Sequence, residues 1–169
     1  MKKDDQNFWN FIYSVLFIVV FITLLYILLK NNGELPTFIP LFDLVLIILA
    51  TFRLTRLFVY DKITRFIREF FTHREEISTE EGTTYFLTNE PESGPRRAAY
   101  DLLTCPWCFS VWAATFTVFF YFLTPYAWFP ILVLAVSGVG SLIQITANMI
   151  GWKAEESKHR ANSLKNLPR

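Results

Sequence analysis

Residue types that carry enzyme chemistry are scarce in this chain of 169 residues. It contains only two cysteines, Cys105 and Cys108, and only two histidines, His73 and His159. It has no Gly-rich phosphate loop and no motif that combines a nucleophile, a base and an acid. The net charge is only +1, so no overall positive field favours a nucleic-acid partner. We therefore expect no nucleic-acid binding.

Charged side chains are also missing from long stretches, and these stretches define the class of protein. The chain is 53% hydrophobic and 18% aromatic, with 18 phenylalanines. Residues 11–29 form an uncharged run that is long enough to cross a bilayer. The run is followed by Lys-Asn-Asn-Gly-Glu and not by a small-residue cleavage site, which favours a retained transmembrane helix over a cleaved signal peptide.

Three further apolar segments predict three more membrane helices. The second helix begins near Pro40 and must continue past Arg53 and Arg56 to be long enough to cross. The third and fourth run from about residue 106 to 123 and from about 127 to 150. The predicted fold class is therefore all-α: a four-helix transmembrane bundle with a cytoplasmic amphipathic interfacial helix and a polar cytoplasmic insert.

Composition divides the chain into three parts. Residues 1–39 hold the N-terminal transmembrane helix and an outer loop, and residues 40–152 hold the remaining helices with the insert at 72–97. The insert is acidic, and β-branched and aromatic residues around Glu81 and Gly82 predict a small hairpin. Residues 153–169 form a basic cytoplasmic tail that we expect to be mobile.

The distribution of basic residues predicts the topology. Thirteen of the 16 Lys and Arg residues lie before the first predicted helix, between the second and third, or after the fourth. Lys30 lies in the first loop on the other side, and Arg53 and Arg56 lie within the second helix. Because Lys and Arg concentrate in cytoplasmic loops, the pattern predicts a multi-pass protein with both termini in the cytoplasm.

The segment 61–71 combines an apolar face at helical spacing with a basic face. This pattern is typical of a helix that lies on the membrane surface. Its basic residues Lys62, Arg65 and Arg68 are predicted to bind anionic lipid headgroups, so the lipid bilayer is the predicted partner.

The predicted topology brings polar residues from three helices to the cytoplasmic side. Because such residues are costly at membrane depth and usually mark a site, we expect a polar cluster there, in which Arg53 or Arg56 pairs with Asp101. The alternative is that both arginines extend to the headgroups. The predicted cluster comprises Arg53, Arg56, Asp101, Gln144 and Asn148.

Cys105 and Cys108 form a Cys-x-x-Cys motif at the start of the third predicted helix, with Pro106 at its first position. The motif leaves three interpretations open. The thiols can be structural, they can form half of a zinc site completed by His73, His159 or a second subunit's pair, or they can perform thiol–disulfide chemistry. No cofactor is assigned with certainty, and zinc at Cys105 and Cys108 is an expectation to test.

Four short motifs occur together in the chain: RLTRL at 53–57, YDKI at 60–63, GPRR at 94–97 and LLTCPWC at 102–108, followed by Trp112. In this combination the chain resembles an uncharacterised family of small bacterial membrane proteins, classed as a domain of unknown function and found in Bacillus-type Firmicutes. Some members are labelled sporulation proteins. The resemblance covers roughly residues 40–150 and implies a bacterial inner membrane, but it implies no activity.

These observations favour an integral inner-membrane protein with a structural or scaffolding role in a bacterial envelope or sporulation-related process. Such a protein would act as a homo-oligomer or within an envelope complex. The alternative is a membrane thiol-redox or zinc-dependent protein that acts through Cys105 and Cys108. The sequence favours the structural role over the thiol-redox or zinc-dependent role but leaves both open.

Overall fold

A computed structural model describes residues 2–34, 38–78, 84–89 and 91–165. Within these ranges the chain is predominantly helical, as the predicted class requires. Its helices are α1 (Lys2–Asn32), α2 (Leu41–Val59), α3 (Arg65–Glu69), α4 (Pro95–Thr104), α5 (Pro106–Leu123) and α6 (Trp128–Lys165). Short 3-10 turns at Lys62–Thr64 and Pro125–Ala127 precede α3 and α6, and strands β1 (His73–Ser78) and β2 (Thr84–Asn89) follow α3.

Helix α2 lies at the centre of the bundle and packs against both α5 and α6. The main apolar core consists of Leu46, Ile47, Ala50, Ala127, Ile131 and Ala135. The backbones of α2 and α6 approach most closely at Gly138, where an added Cβ atom would lie 2.6 Å from the carbonyl oxygen of Leu49. The α2–α6 contact therefore requires a glycine at position 138.

Contacts near the helix ends fix the directions of α1, α2 and α5. Asn32 in the last turn of α1 donates a hydrogen bond to the carbonyl oxygen of Phe122 in the last turn of α5 (3.3 Å). Phe58 near the end of α2 stacks on Phe109 near the start of α5, with ring centroids 5.1 Å apart. Helices α1 and α5 therefore run in the same direction, and α2 runs opposite to them. We name the end of the bundle that holds Cys105 the thiol end.

Helix α6 runs in the same direction as α2. Trp128 at the start of α6 donates through Nε1 to Asp43 in the first turn of α2 (3.4 Å). Further along both helices, Arg53 Nε donates to Ser137 Oγ (2.9 Å). The order α1, α2, α5, α6 thus alternates in direction, which is the arrangement that four successive membrane crossings need.

Among the described residues, three helices are long and apolar enough to cross a membrane: Asp5–Asn32, Pro106–Leu123 and Pro125–Arg160. Helix α2 has a comparable length of 19 residues but carries Asp43, Arg53 and Arg56. Length and composition therefore support three of the four predicted spans and do not by themselves support α2.

Two segments differ from the predicted boundaries. Helix α6 continues to Lys165, so most of the tail predicted to be mobile is helical. Good helix formers and the Glu156–Arg160 ion pair (2.6 Å) stabilise this extension. The segment 61–71 is not one helix, because a 3-10 turn precedes the five residues of α3.

The insert contains the hairpin that the sequence pattern predicts. Strands β1 and β2 are antiparallel, with His73 opposite Asn89 and Ser78 opposite Thr84. The predicted turn residues Glu81 and Gly82 lie outside the described residues.

A side chain at position 138 should separate α2 from α6. We expect Gly138→Ala to lower the free energy of unfolding by about 1–3 kcal/mol, because the new methyl group meets backbone and not a flexible side chain. Gly140 has nothing within 4 Å of an added Cβ, so Gly140→Ala should stay within about 1 kcal/mol of the parent. Thermal unfolding in detergent measures both variants, and equal stability of the two would contradict the close contact.

Candidate functional site

The junction between α4 and α5 places both cysteines at the thiol end. Helix α4 begins at Pro95, directly after Gly94, whose φ of 97° lies in the left-handed region that favours glycine. It ends at Thr104, and the extended residue Cys105 separates it from Pro106, the first residue of α5. Because proline lacks an N–H and has a helical φ, Pro106 is suited to a first helical position and not to the interior of a longer helix.

Cys105 caps the N-terminus of α5. The backbone N–H of Cys108 donates to Cys105 Sγ at 3.4 Å, and the two cysteines are not joined in a disulfide. Hydrogen bonds from the thiol and then the backbone of Cys108 lower the pKa of Cys105, while burial and the nearby carboxylate of Asp101 act in the opposite direction. Cys105 is therefore the more activated thiol expected at a helix N-terminus.

A groove of about 660 Å³ lies beside the thiols, between α1, α4 and α5. Its polar lining residues are Asn10, Tyr13, Ser14, Asp101, Cys105 and Cys108. Its apolar part includes Phe17 and Trp112, which meet edge to face with centroids 5.0 Å apart. The groove can therefore admit a molecule with a polar head and an apolar body next to the Cys105 thiol.

Arg53 belongs to a different interaction from the predicted one. Its Nη1 lies 2.9 Å from Asp61 Oδ2, and its Nε donates to Ser137 Oγ at 2.9 Å. The predicted pairing of Arg53 with Asp101 is therefore wrong. Asp61 lies two residues after the end of α2 and is therefore close to Arg53. Asp101 lies on α4, so it could reach Arg53 only across a contact between α2 and α4.

Arg56 and Asp101 also have local partners. The guanidinium of Arg56 lies over the ring of Tyr60, 5.2 Å from its centroid. Asp101 pairs with Arg97 one turn earlier on α4, at 3.0 Å. Residues four apart on one helix are already close to each other. Pairing them therefore costs less side-chain freedom than pairing residues on two different helices.

Gln144 and Asn148 lie outside any cluster with these charges. Gln144 Nε2 donates to Asn148 Oδ1 at 3.0 Å, and both side chains are exposed on α6. The structure therefore does not bring the five residues of the predicted polar cluster together, but divides them among separate local interactions.

Arg68, predicted to bind headgroups, instead holds the end of α2. It donates to the backbone carbonyl oxygens of Phe58 and Asp61, the latter at 2.9 Å, and to Thr64 Oγ1 at 3.2 Å. The buried Thr64 donates to the carbonyl oxygen of Leu57 as well. These bonds satisfy carbonyl groups that a helix C-terminus leaves without partners.

The other two basic residues of the segment lie on the surface. Lys62 is exposed, and the exposed Arg65 pairs with Glu69 at 2.6 Å. They remain the residues of this segment that can contact headgroups.

Asp43 has a role that the sequence patterns did not predict. It accepts hydrogen bonds from Tyr121 Oη (2.5 Å) and Trp128 Nε1 (3.4 Å), and thereby joins α2, α5 and α6 at the end opposite the thiols. The available signal was the position itself, since a carboxylate in an apolar helix requires polar partners.

The two thiols can supply half of a tetrahedral zinc site. Across the part of the chain that the structure describes, no three His, Cys, Asp and Glu residues are placed together to hold a metal ion. A zinc site at Cys105 and Cys108 would therefore need further ligands, such as the thiols of a second copy.

The Cys108 hydrogen bonds should make Cys105 reactive at lower pH than an ordinary thiol. Alkylation by iodoacetamide, resolved by mass spectrometry, should give Cys105 a midpoint below the usual value of about 8.5. Cys108→Ala should raise this midpoint because the side-chain hydrogen bond is lost. Ser110→Ala is the matched control, since Ser110 donates only to the carbonyl oxygen of Trp107. An unchanged midpoint in Cys108→Ala would contradict the assigned cause.

Arg68 should contribute more to stability than Arg65. We expect Arg68→Ala to lower the free energy of unfolding by about 1–3 kcal/mol, because carbonyl groups at the end of α2 lose their donors. Arg65→Ala breaks only a surface ion pair and should cost less than about 1 kcal/mol. Denaturation of both variants in the same detergent measures the two losses in free energy of unfolding. A larger loss for Arg65→Ala than for Arg68→Ala would contradict the prediction.

Comparisons with known proteins place α4, α5 and the thiol motif, with most of α2 and the first half of α6, within one family. A family model described as "Protein of unknown function (DUF1360)" matches residues 46–147, more than half of the chain. "UPF0713 protein YngL" of Bacillus subtilis is 34% identical over 110 residues, which cover 64% of this chain and 80% of that protein. "Sporulation protein YjcA" of the same organism is 36% identical over 105 residues, covering 60% of this chain and 86% of that protein. No solved structure matches. The chain therefore belongs to the DUF1360 family, a family of proteins of unknown function.

Proposed function

We propose that this protein crosses a bacterial cytoplasmic membrane four times and serves as a structural component of the cell envelope. Helices α1, α2, α5 and α6 are the four spans, and both termini lie in the cytoplasm. The observation that carries the proposal is that every charged side chain of α2 has a partner within the chain, although α2 is the one span whose composition alone argues against crossing.

Each charge of α2 has a partner that suits a low-dielectric environment. Asp43 receives hydrogen bonds from a tyrosine and a tryptophan of two other helices. Arg53 is held by Asp61 and Ser137, and Arg56 lies against an aromatic ring. Charged residues are tolerated in membrane helices when they face the bundle and are paired in this way. The contacts therefore support a crossing by α2.

The outer surfaces of the other spans support the same placement. In α1, Phe11, Ile18 and Ile22 are each more than half exposed, and the same holds for Phe129, Val136 and Ile143 in α6. Exposed apolar surface on this scale is rare in soluble monomers and is suited to lipid contact. Lys and Arg are concentrated at the thiol end, which favours the cytoplasmic side for that end.

The segment after α2 suits the membrane surface. Ile63, Phe66 and Phe70 are each at least 70% exposed, with Lys62 and Arg65 on the same short segment. Apolar side chains next to basic ones favour insertion at the boundary between acyl chains and anionic headgroups. This segment would therefore anchor the cytoplasmic end of α2 to the inner leaflet.

A structural role agrees with how the polar groups are used. Asp43 and Arg53 connect helices, and Arg68 binds carbonyl groups at the end of α2. The hydrogen bonds of these three side chains therefore stabilise the bundle. One relative bears the name of a sporulation protein. We therefore place the structural role in an envelope process, with sporulation as the process to examine first.

The second candidate function is thiol chemistry at Cys105 and Cys108, favoured by the capped Cys105 thiol beside an open groove. In a thiol–disulfide exchange, Cys105 thiolate would attack a substrate disulfide and release one substrate thiol. Cys108 would then attack the mixed disulfide, release the second thiol and leave a Cys105–Cys108 disulfide. Bound zinc and protected thiols in anaerobically purified protein would instead assign a metal site.

Labelling of single cysteines tests the topology. In a Cys105→Ser, Cys108→Ser background, a membrane-impermeant maleimide should label Glu34→Cys in intact cells and Ser157→Cys only after permeabilisation. Both positions are exposed, so access to the reagent depends on the side of the membrane. Labelling of Ser157→Cys from outside, with Glu34→Cys protected, would reverse the proposed orientation.

A further inference from the structure

Helix α6 leaves the bundle about halfway along its length. Ile131, Ala135 and Gly138 are buried, and Ile131 and Ala135 belong to the core shared with α2, but every residue from 142 to 160 is exposed. The sequence from Trp128 to Trp152 carries no charge, so the exposed part begins well before the first charged residue, Lys153. About half of the apolar length of α6 is therefore exposed within one copy of the chain.

This exposed part carries two amides, Gln144 and Asn148, inside the uncharged segment. Their mutual hydrogen bond uses Gln144 Nε2 and Asn148 Oδ1. Gln144 Oε1 and Asn148 Nδ2 have no hydrogen-bond partner among the described residues. Amides facing lipid are unfavourable because hydrocarbon offers no hydrogen bonds. The two free groups are one acceptor and one donor, so the pair is complementary to a second copy of itself.

We propose that two copies of this chain associate in parallel through the exposed half of α6. Gln144 Oε1 of each copy accepts a hydrogen bond from Asn148 Nδ2 of the other, which gives a two-fold symmetric pair of bonds. The proposal deepens the proposed function and rests on it, because parallel copies and desolvated amides require that α6 crosses the membrane.

The charges beyond the membrane fit the same arrangement. Glu155 and Lys158 lie one turn apart on the side of α6 that continues from the amides, and neither forms an ion pair with the described residues. In two parallel helices, Glu155 of one copy can pair with Lys158 of the other, and the reciprocal pair forms by symmetry.

The association side differs from the side that packs on α2. At 3.6 residues per turn, Gln144 and Asn148 lie roughly 80–180° round the helix from Ile131, Ala135 and Gly138. A second copy can therefore bind without displacing α2, and the interface described above stays intact.

Cysteine cross-linking tests this interface with both amides and both charges in place. In isolated membranes of the Cys105→Ser, Cys108→Ser background, copper phenanthroline should cross-link Gly151→Cys to itself. Met149→Cys, only two residues away but roughly 160° round the helix, is the matched control and should cross-link at least about fivefold less. Both positions are exposed, and an added Cβ at Gly151 meets nothing within 4 Å. Equal cross-linking at both positions, or none at either, would overturn the proposal.

Removal of the amides gives a second, independent result. Gln144→Leu with Asn148→Leu should weaken cross-linking at Gly151→Cys by at least about fivefold, because two intermolecular hydrogen bonds are lost. Thr146→Val on the opposite side should leave it unchanged. Undiminished cross-linking in the leucine variant would contradict the assigned hydrogen bonds.

Alkaline carbonate extraction of the same samples separates the two proposals. Protein that stays in the membrane pellet without cross-linking contradicts the dimer alone. Protein released from the membrane contradicts the proposed function itself.

Discussion

The structure depends on the neutralisation of charge within α2. This helix lies between α5 and α6 and carries a carboxylate near one end and two arginines towards the other. In a bilayer, a charged side chain without a partner is among the most unfavourable groups a helix can present. The carboxylate is bonded by two aromatic side chains, and Arg53 is bonded by a carboxylate and a serine hydroxyl. The position of α2 between these helices provides three of its partners, because α5 supplies Tyr121 and α6 supplies Trp128 and Ser137.

The thiol site depends on that frame while using different chemistry. The cysteines lie where α4 meets α5, and the groove beside them is closed on its other side by α1. The family model covers residues 46–147, so α1 lies outside the matched region although it supplies Tyr13 and Phe17 to the groove. The thiol motif therefore lies within the matched region, whereas the groove beside it is built partly from residues outside that region.

The sequence predicted the elements better than the contacts between them. Long uncharged runs and proline positions located the helices, because hydrophobic length and the missing proline N–H act locally. The polar cluster was predicted from shared depth alone, and depth does not specify the direction of a side chain round its helix. Asp61 and Arg97 were nearer to Arg53 and Asp101 than the predicted partners were, so local pairs formed instead. The use of Arg68 as a cap for α2 could not be predicted from charge patterning, because it depends on the 3-10 turn that folds the chain back.

The partners of α2 are distant in the sequence, and this distance has a consequence for biosynthesis. Tyr121 and Trp128 follow Asp43 by 78 and 85 residues, and Ser137 follows Arg53 by 84. At about 5–20 residues per second, α2 leaves the ribosome roughly 4–17 seconds before these partners are synthesised. During that interval the charged side chains of α2 have no partners from α5 or α6. In the proposed topology, exposure of these side chains to lipid is therefore unfavourable until the partners are made. In the proposed four-span topology, the last helix to be made therefore supplies partners that the second helix lacks until then, and a chain truncated before residue 128 would leave Arg53 without Ser137 and Asp43 without Trp128.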